Sequence, residues 1–179
     1  MPSTADEARR VLRAQYGDRE ALEQILQAIQ GPLHRYASRI VGATQADDVL
    51  QDTLIILVRK LQWLTEPRLF RAWTFRIASR VAFDYLKKER RRPIHDTDDA
   101  ALEAVAAPLG PASEDALADL LASERLSPAS RAVLVLHFQE EMPLAEVAAV
   151  LELPLGTVKS RLAYGLKALR RHIDDQRRR

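Results

Sequence analysis

Apolar residues return every three or four positions over most of the chain and rarely alternate one by one, so the pattern predicts helices throughout. A short amphipathic helix is expected over 5–16, stopped at Gly17, with Asp18 as the cap of the next. From Arg19 the positions Leu22, Ile25, Leu26, Ile29, Leu33, Tyr36, Ala37 and Ile40 keep helical spacing to Val41, across a Gly31–Pro32 pair expected to break or kink the helix. Thr44 with Asp47 has the form of a capping box, opening a helix whose inner face is Val49, Leu50, Thr53, Leu54, Leu57 and Leu61. The segment 62–68, QWLTEPR, reads as a loop, because Pro67 biases Glu66 out of the helical region. A long helix over 68–91 then turns Leu69, Phe70, Trp73, Ile77, Ala78, Val81, Ala82, Tyr85 and Leu86 toward a core.

Pro93 ends that pattern. Residues 93–112 hold Pro93, Pro108, Gly110 and Pro111, the carboxylates Asp96, Asp98, Asp99 and Glu103, and no Lys or Arg, which marks an acidic linker. Beyond it Ser113 is expected to cap a helix with Leu117, Leu120 and Leu121 inside, and Ser127–Pro128 to open another running to about 139. The chain is thus expected to be all-α, with two small helical domains, 1–92 and 113–179, joined by a flexible linker, 93–112.

The most informative stretch is 144–171. Leu144, Val147, Ala148 and Leu151 line one helical face; Leu155, Val158, Leu162, Leu166 and Leu169 line another. Between them Glu152, Leu153 and Pro154 interrupt both periods within a space too short for anything but a tight corner, the sequence form of a helix-turn-helix. Away from the second apolar stripe lie Thr157, Lys159, Ser160, Tyr164, Lys167 and Arg171, flanked by Arg161 and Arg170. A face of hydroxyls and cations with no carboxylate suits a phosphate-lined groove, with a merely solvated helix face as the plain alternative.

Charge refines this picture. The 27 Lys and Arg nearly balance 25 Asp and Glu, for a formal net charge of +2, but the cations cluster at 87–92 and 170–179. The helix over 68–91 is a second basic element, carrying Arg68, Arg71, Arg76, Arg80, Lys87, Lys88, Arg90, Arg91 and, just past its end, Arg92. Trp63, in the loop before it, is the better candidate for stacking on a base, while Phe70 and Trp73 read as core. The outer face of the preceding helix is acidic, with Asp47, Asp48, Gln51 and Asp52. Proximity to a helix N-terminus explains Asp47 and Asp48, but it explains Asp52 less well, and a docking surface for a basic partner competes.

No cysteine is present, which excludes disulfides and thiolate chemistry. No apolar run approaches a membrane span and the N-terminus is polar, so a soluble cytoplasmic protein is expected. His34, His95, His137 and His172 are scattered outside any metal-ligand spacing, and no phosphate-binding glycine loop or nucleophile elbow occurs. Neither a cofactor nor an enzyme activity is expected.

Taken in order, DDVLQDTLIILVRKL, RLFRAWTFRIASRVAFDYLKKERRR and SPASRAVLVLHFQEEMPLAEVAAVLELPLGTVKSRL resemble the two domains, sigma2-like and sigma4-like, of bacterial sigma factors of the extracytoplasmic-function class. The resemblance implies a subunit that binds core RNA polymerase and directs it to promoter DNA. It places Asp48, Gln51 and Asp52 on the stretch that docks on the polymerase clamp. It places the loop at Trp63 and Arg68, with Arg76, Arg80, Lys87 and Arg91 of the next helix, at the minus-ten element, where a base is captured and the duplex opened. Thr157, Lys159, Ser160, Arg161, Tyr164 and Lys167 would read the minus-thirty-five element. An inhibitory anti-sigma protein is a further implied partner. Three positions depart from the usual pattern: Arg80 where many members have asparagine, Tyr164 where arginine is frequent, and Glu152 at a corner often held by glycine. A left-handed non-glycine residue there costs about 1 kcal/mol. The rival reading is a helix-turn-helix regulator that binds duplex DNA without polymerase.

Overall fold

The computed structural model describes residues 4–91, Leu121 and 126–177, and among these every regular element is helical. Helix α1 (Thr4–Gln15) buries Ala8, Val11 and Ala14. Asp18 caps α2 (Arg19–Val41): its Oδ1 accepts from the Ala21 amide at 3.0 Å and its other oxygen takes Arg13 Nε at 2.8 Å. The amide first, and then Arg13, hold this carboxyl below its ordinary pKa.

Pro32 does not break α2, contrary to the expectation from sequence; the helix runs unbroken from Arg19 to Val41. Ile25, Ile29, Leu33, Tyr36 and Ile40 are all buried on its inner face, so packing on both sides of Pro32 outweighs the one backbone bond the ring removes. The expected capping box at Thr44 is also absent. Helix α3 (Ala43–Lys60) starts directly after Gly42, which ends α2 and begins α3 at φ 91°, ψ 162°, a conformation open essentially to glycine alone. The predicted inner face holds, with Val49, Leu50, Thr53, Leu57 and Leu61 buried and Leu54 half-buried.

Two short 3-10 turns, Leu61–Trp63 and Pro67–Leu69, frame the predicted loop and lead into α4 (Phe70–Arg91). Phe70, Phe75, Ala78 and Ala82 are buried, Trp73 is half-buried, and Leu69, expected inside, is 55% exposed because it sits in the 3-10 turn before the helical face begins. The fully buried Tyr36 and Phe75 rings meet edge to face at 5.5 Å. Ser79 Oγ donates to Phe75 O at 2.7 Å, so its single proton is committed and the Tyr36 hydroxyl is the donor in the 2.7 Å bond to Ser79. Burial raises the pKa of that phenol far above its usual range.

In the C-terminal half Ser127 caps α5 (Pro128–Leu134), as expected, accepting from Ser130 N at 3.3 Å, with Pro128 at the first position. A π-helical turn, Val135–Gln139, continues it to the predicted end. Helices α6 (Leu144–Leu151) and α7 (Leu155–Arg177) follow. Gly165 lets α7 approach α5: a Cβ there would stand 2.7 Å from Leu134 Cδ1. The expected linker 93–112 and the helix cap at Ser113, with Leu117 and Leu120, lie outside the described residues, whereas Leu121 is buried.

The sequence gives no sign of how the halves stand to each other. The buried apolar residues form one cluster running from Val11 to Leu169, because α4 packs against α6 and α2 against α5. Polar bonds cross the same seam: Arg71 Nη2 meets the buried Glu140 carboxylate at 2.6 Å, and Arg131 Nη1 donates to Arg39 O at 2.9 Å.

The Tyr36–Ser79 bond makes an asymmetric prediction. Ser79→Ala strands a buried phenol donor and should destabilise the fold by about 1–3 kcal/mol, whereas Tyr36→Phe leaves Ser79 satisfied by Phe75 O and should cost about 1 kcal/mol or less. Urea midpoints of the two variants check the order.

Candidate nucleic-acid interface

Because α3 begins at Ala43, Asp47 and Asp48 fall beyond its first turn, and the helix dipole no longer accounts for them. Asp48, Gln51 and Asp52 are exposed at a spacing that puts them on one face, which Ile55 and Val58 extend at 41% and 45% exposure. Asp47 turns aside to His34 Nε2 at 3.2 Å. Among the described residues neither Asp48 nor Asp52 has an ion-pair partner, so an acidic edge with apolar neighbours is left facing outward.

Trp63 closes the first 3-10 turn with 66% of its surface exposed, and Arg68 is exposed in the second, where Glu66 caps the turn by accepting from Arg68 N at 3.3 Å. What fixes this loop is a residue that sequence reasoning missed. Gln15 Nε2 donates to Leu61 O and to Leu64 O, both at 2.8 Å, so one amide group holds the backbone on either side of Trp63. Two carbonyl acceptors demand two N–H donors, and the flipped amide would set its oxygen against both. The available signal was a polar residue four positions after Val11 on the buried stripe of α1.

On α4, Arg76 is half-buried, and Arg80 and Lys87 are exposed; the side chain of Arg91 lies outside the described residues. Arg80 is not free for DNA in this arrangement. It grips Glu152 with both arms of its guanidinium, Nε reaching Oε2 at 2.9 Å and Nη2 reaching Oε1. Those hydrogen bonds, followed by the charges of Arg80 and Arg76, hold the Glu152 carboxyl below its ordinary pKa; the same bonds, followed by the charge of Glu152, raise that of Arg80. Arg76 Nε is buried without a hydrogen-bond partner.

Glu152 is the corner of the helix-turn-helix. It sits left-handed at φ 56°, ψ 42°, its amide reaching Ala148 O, and Leu153 N joins the same carbonyl at 3.0 Å. On α7, Lys159, Ser160 and Lys167 are exposed, while Thr157 and Arg161 are half-buried. Two expectations need correction. Tyr164 packs half-buried against the core instead of projecting with the cations, and Leu155, placed on the apolar stripe, is 40% exposed because it opens the helix beyond the reach of α6. Ser160 Oγ donates to Thr157 O at 2.9 Å, which leaves its lone pairs as the outward-facing function. Among the described residues no group of three or more histidines and carboxylates gathers.

An acidic helix face, a held loop bearing an exposed indole, a basic helix and a helix-turn-helix thus follow one another along the chain. Models of Sigma-70 region 2 and Sigma-70 region 4 match residues 25–92 and 124–171. The chain is 27% identical over 180 residues to the ECF RNA polymerase sigma factor SigW of Bacillus subtilis, covering 93% of this chain and 96% of that protein. It is 28% identical over 171 residues to the ECF RNA polymerase sigma-E factor of Escherichia coli, covering 89% and 90%. Among solved structures it is similar to CnrH in complex with the cytosolic domain of CnrY, with TM-score 0.65, 25% identity and coverage of 94% and 97%. The sigma factor RpoE in complex with the anti-sigma factor NepR from Bartonella quintana shares the fold at TM-score 0.67 and 24% identity, over 86% and 96% of the two chains. The chain belongs to the extracytoplasmic-function class of RNA polymerase sigma factors.

Gln15→Glu keeps the shape of the clamp but replaces its donors with acceptors. Amides of 61–66 should exchange with deuterium faster, with a cost of about 1–3 kcal/mol in stability, while Gln15→Lys, which restores an N–H donor, should recover part of the protection. Hydrogen-exchange mass spectrometry checks both.

Proposed function

We propose that this chain is an alternative sigma factor that binds core RNA polymerase and directs it to begin transcription at specific promoters, as a cytoplasmic protein without catalytic groups or cofactor of its own. The observation that carries the reading is the order of surfaces along one chain: an outward acidic edge on α3, an exposed indole on a clamped loop, cations on α4, then hydroxyls and cations on α7. A regulator that binds duplex DNA unaided has use for the last of these but not for the first two.

The first surface is the polymerase dock. Asp48, Gln51 and Asp52 supply acceptors for a basic helix, and Ile55 and Val58 supply apolar contact that closes around them. The second serves the minus-ten element: Trp63 offers a stacking face for an extruded base, and Arg68, Arg76, Arg80, Lys87 and Arg91 offset the cost of extrusion by neutralising phosphates. The third serves the minus-thirty-five element, where Lys159, Ser160 and Lys167 reach into the major groove and Thr157 and Arg161 flank them; Tyr164 contributes by bracing α7. Residues 1–92 and 113–179 are the two functional domains, with 93–112 as the tether. An anti-sigma protein is the expected inhibitor, a reading supported by the relative RpoE, solved with the anti-sigma factor NepR, beside CnrH, solved with the cytosolic domain of CnrY. Among the described residues no helix is long and apolar enough to cross a membrane.

Asp48→Lys with Asp52→Lys should abolish co-purification with core polymerase while the circular dichroism spectrum stays unchanged; undiminished association would remove the dock from α3. Lys159→Ala with Arg161→Ala should weaken promoter binding by the holoenzyme and lower the slope of log affinity against log salt by about 2. An unchanged footprint and slope would refute the assignment of α7 as the reading helix.

A further inference from the structure

Gln15 stands before the residues matched by the region 2 model, 25–92, yet its amide holds the loop that carries Trp63. We infer that Gln15 is a positioning residue for the minus-ten element: it sets the loop in the conformation that tells one captured base from another. Helix α1, which carries none of the assigned promoter contacts, thereby governs base preference and duplex opening. The inference rests on the promoter reading above and adds a residue to it.

The bond pattern fixes the part of the loop that matters to a base. Leu61 O accepts from Leu64 N at 3.1 Å, closing the first 3-10 turn, and Gln15 Nε2 joins it at 2.8 Å. The same amide donates at 2.8 Å to Leu64 O, where the chain leaves the turn in an extended conformation at φ −73°, ψ 103°. The two carbonyls bracket Gln62 and Trp63, so the backbone that aims the indole is held while the ring stays open. Gln62, Trp63 and Thr65 are all exposed, and an amide, a π face and a hydroxyl are what the loop offers to an extruded base.

A clamp can position another group only if it is itself fixed. Gln15 is the last residue of α1, whose Val11 and Ala14 are buried. Arg13 grips Asp18 Oδ2 with Nε at 2.8 Å and Nη2 at 2.7 Å, Asp18 N returns to Arg13 O at 3.1 Å, and Asp18 caps α2. Helix α1 also packs against the second 3-10 turn, where Glu66 caps Arg68 N. The frame of reference for the loop is therefore the corner between α1 and α2.

Base discrimination depends on such a frame. A wrong base pair in a site weakens binding by about 5- to 150-fold, and selectivity of that size needs polar groups held to within about 0.5 Å. A loop released from Gln15 would still stack on a base, because every base has a π face. What it would lose is the difference between bases, together with the ordering of the loop before DNA arrives, an entropy loss that then falls on the opening step.

The test uses holoenzyme reconstituted from the full chain and core RNA polymerase, on a promoter that the unaltered protein selects from a pool of genomic fragments. Each minus-ten position is then varied singly to all four bases. Initiation rates give the base preference, and 2-aminopurine in the minus-ten element gives the opening rate. Gln15→Glu and the uncharged Gln15→Leu should each lower the preference at the captured base by about 3- to 10-fold and slow opening, with closed-complex affinity within about twofold. Gln15→Lys, which restores an N–H donor, should recover part of both. Gln27→Glu, the same change at an exposed glutamine of α2, should alter neither. On a template left unpaired across the minus-ten element, the opening defect should disappear and the lost preference should remain. A purely structural defect lowers the active fraction equally on all templates and cancels from the preference ratio. Ratios in Gln15→Glu and Gln15→Leu equal to those of the unaltered chain, an equal fall on all templates, or no recovery in Gln15→Lys would overturn the inference. An unaltered chain that starts no RNA from any fragment would sink the sigma reading and this inference with it, a result distinct from all of these.

Discussion

Helix α4 has to satisfy two solvents at once. Its inner side buries Phe70, Phe75, Ala78 and Ala82 against α2 and α3, and its outer side carries arginines that keep their charge under all ordinary conditions. A guanidinium that is neither hydrated nor paired is costly, so the outer side must be open to water, to a carboxylate or to phosphate. The rest of the molecule follows from which of the three it meets. In the structure described here it meets carboxylates from the other half of the chain, Glu140 at one end of the helix and Glu152 near its middle.

The two pairs differ in kind. Glu140 is buried and its bond to Arg71 belongs to the packed seam, where loss of one partner leaves a charge in an apolar setting. Arg80 and Glu152 are both half open to water, so their bond adds little to stability and can be exchanged for another anion at small cost. The loop at Trp63 follows a different logic: an exposed indole is useful only if its backbone is fixed, and the amide of Gln15 fixes it from α1 without covering the ring.

Much of this was legible in the residues. The helices, the Asp18 and Ser127 caps and the exposed Trp63 follow from periodicity, local hydrogen bonding and backbone sterics, which act within a few residues, whereas the left-handed corner at Glu152 was expected from the family resemblance. Local rules misled where tertiary packing opposed them. Pro32 was read as a break, yet apolar contacts on both sides carry α2 through it; Thr44 looked like a cap, yet the glycine before it starts the helix earlier. Tyr164 and Leu155 were assigned to the wrong faces because a helix near its end, or beside a neighbour as close as Gly165 allows, does not present a face by spacing alone.

Sequence by itself therefore determined the helices and the tight corner between the last two, since helical period and turn chemistry are properties of neighbouring residues, and its resemblance to a known family indicated the kind of protein. Only the tertiary structure decided which surfaces are available together. Gln15 and Leu64, or Arg80 and Glu152, are joined by no period and no local rule; they meet because helices bury their apolar stripes against one another, and the polar groups at the edges of those stripes must then find whatever partner the packing brings.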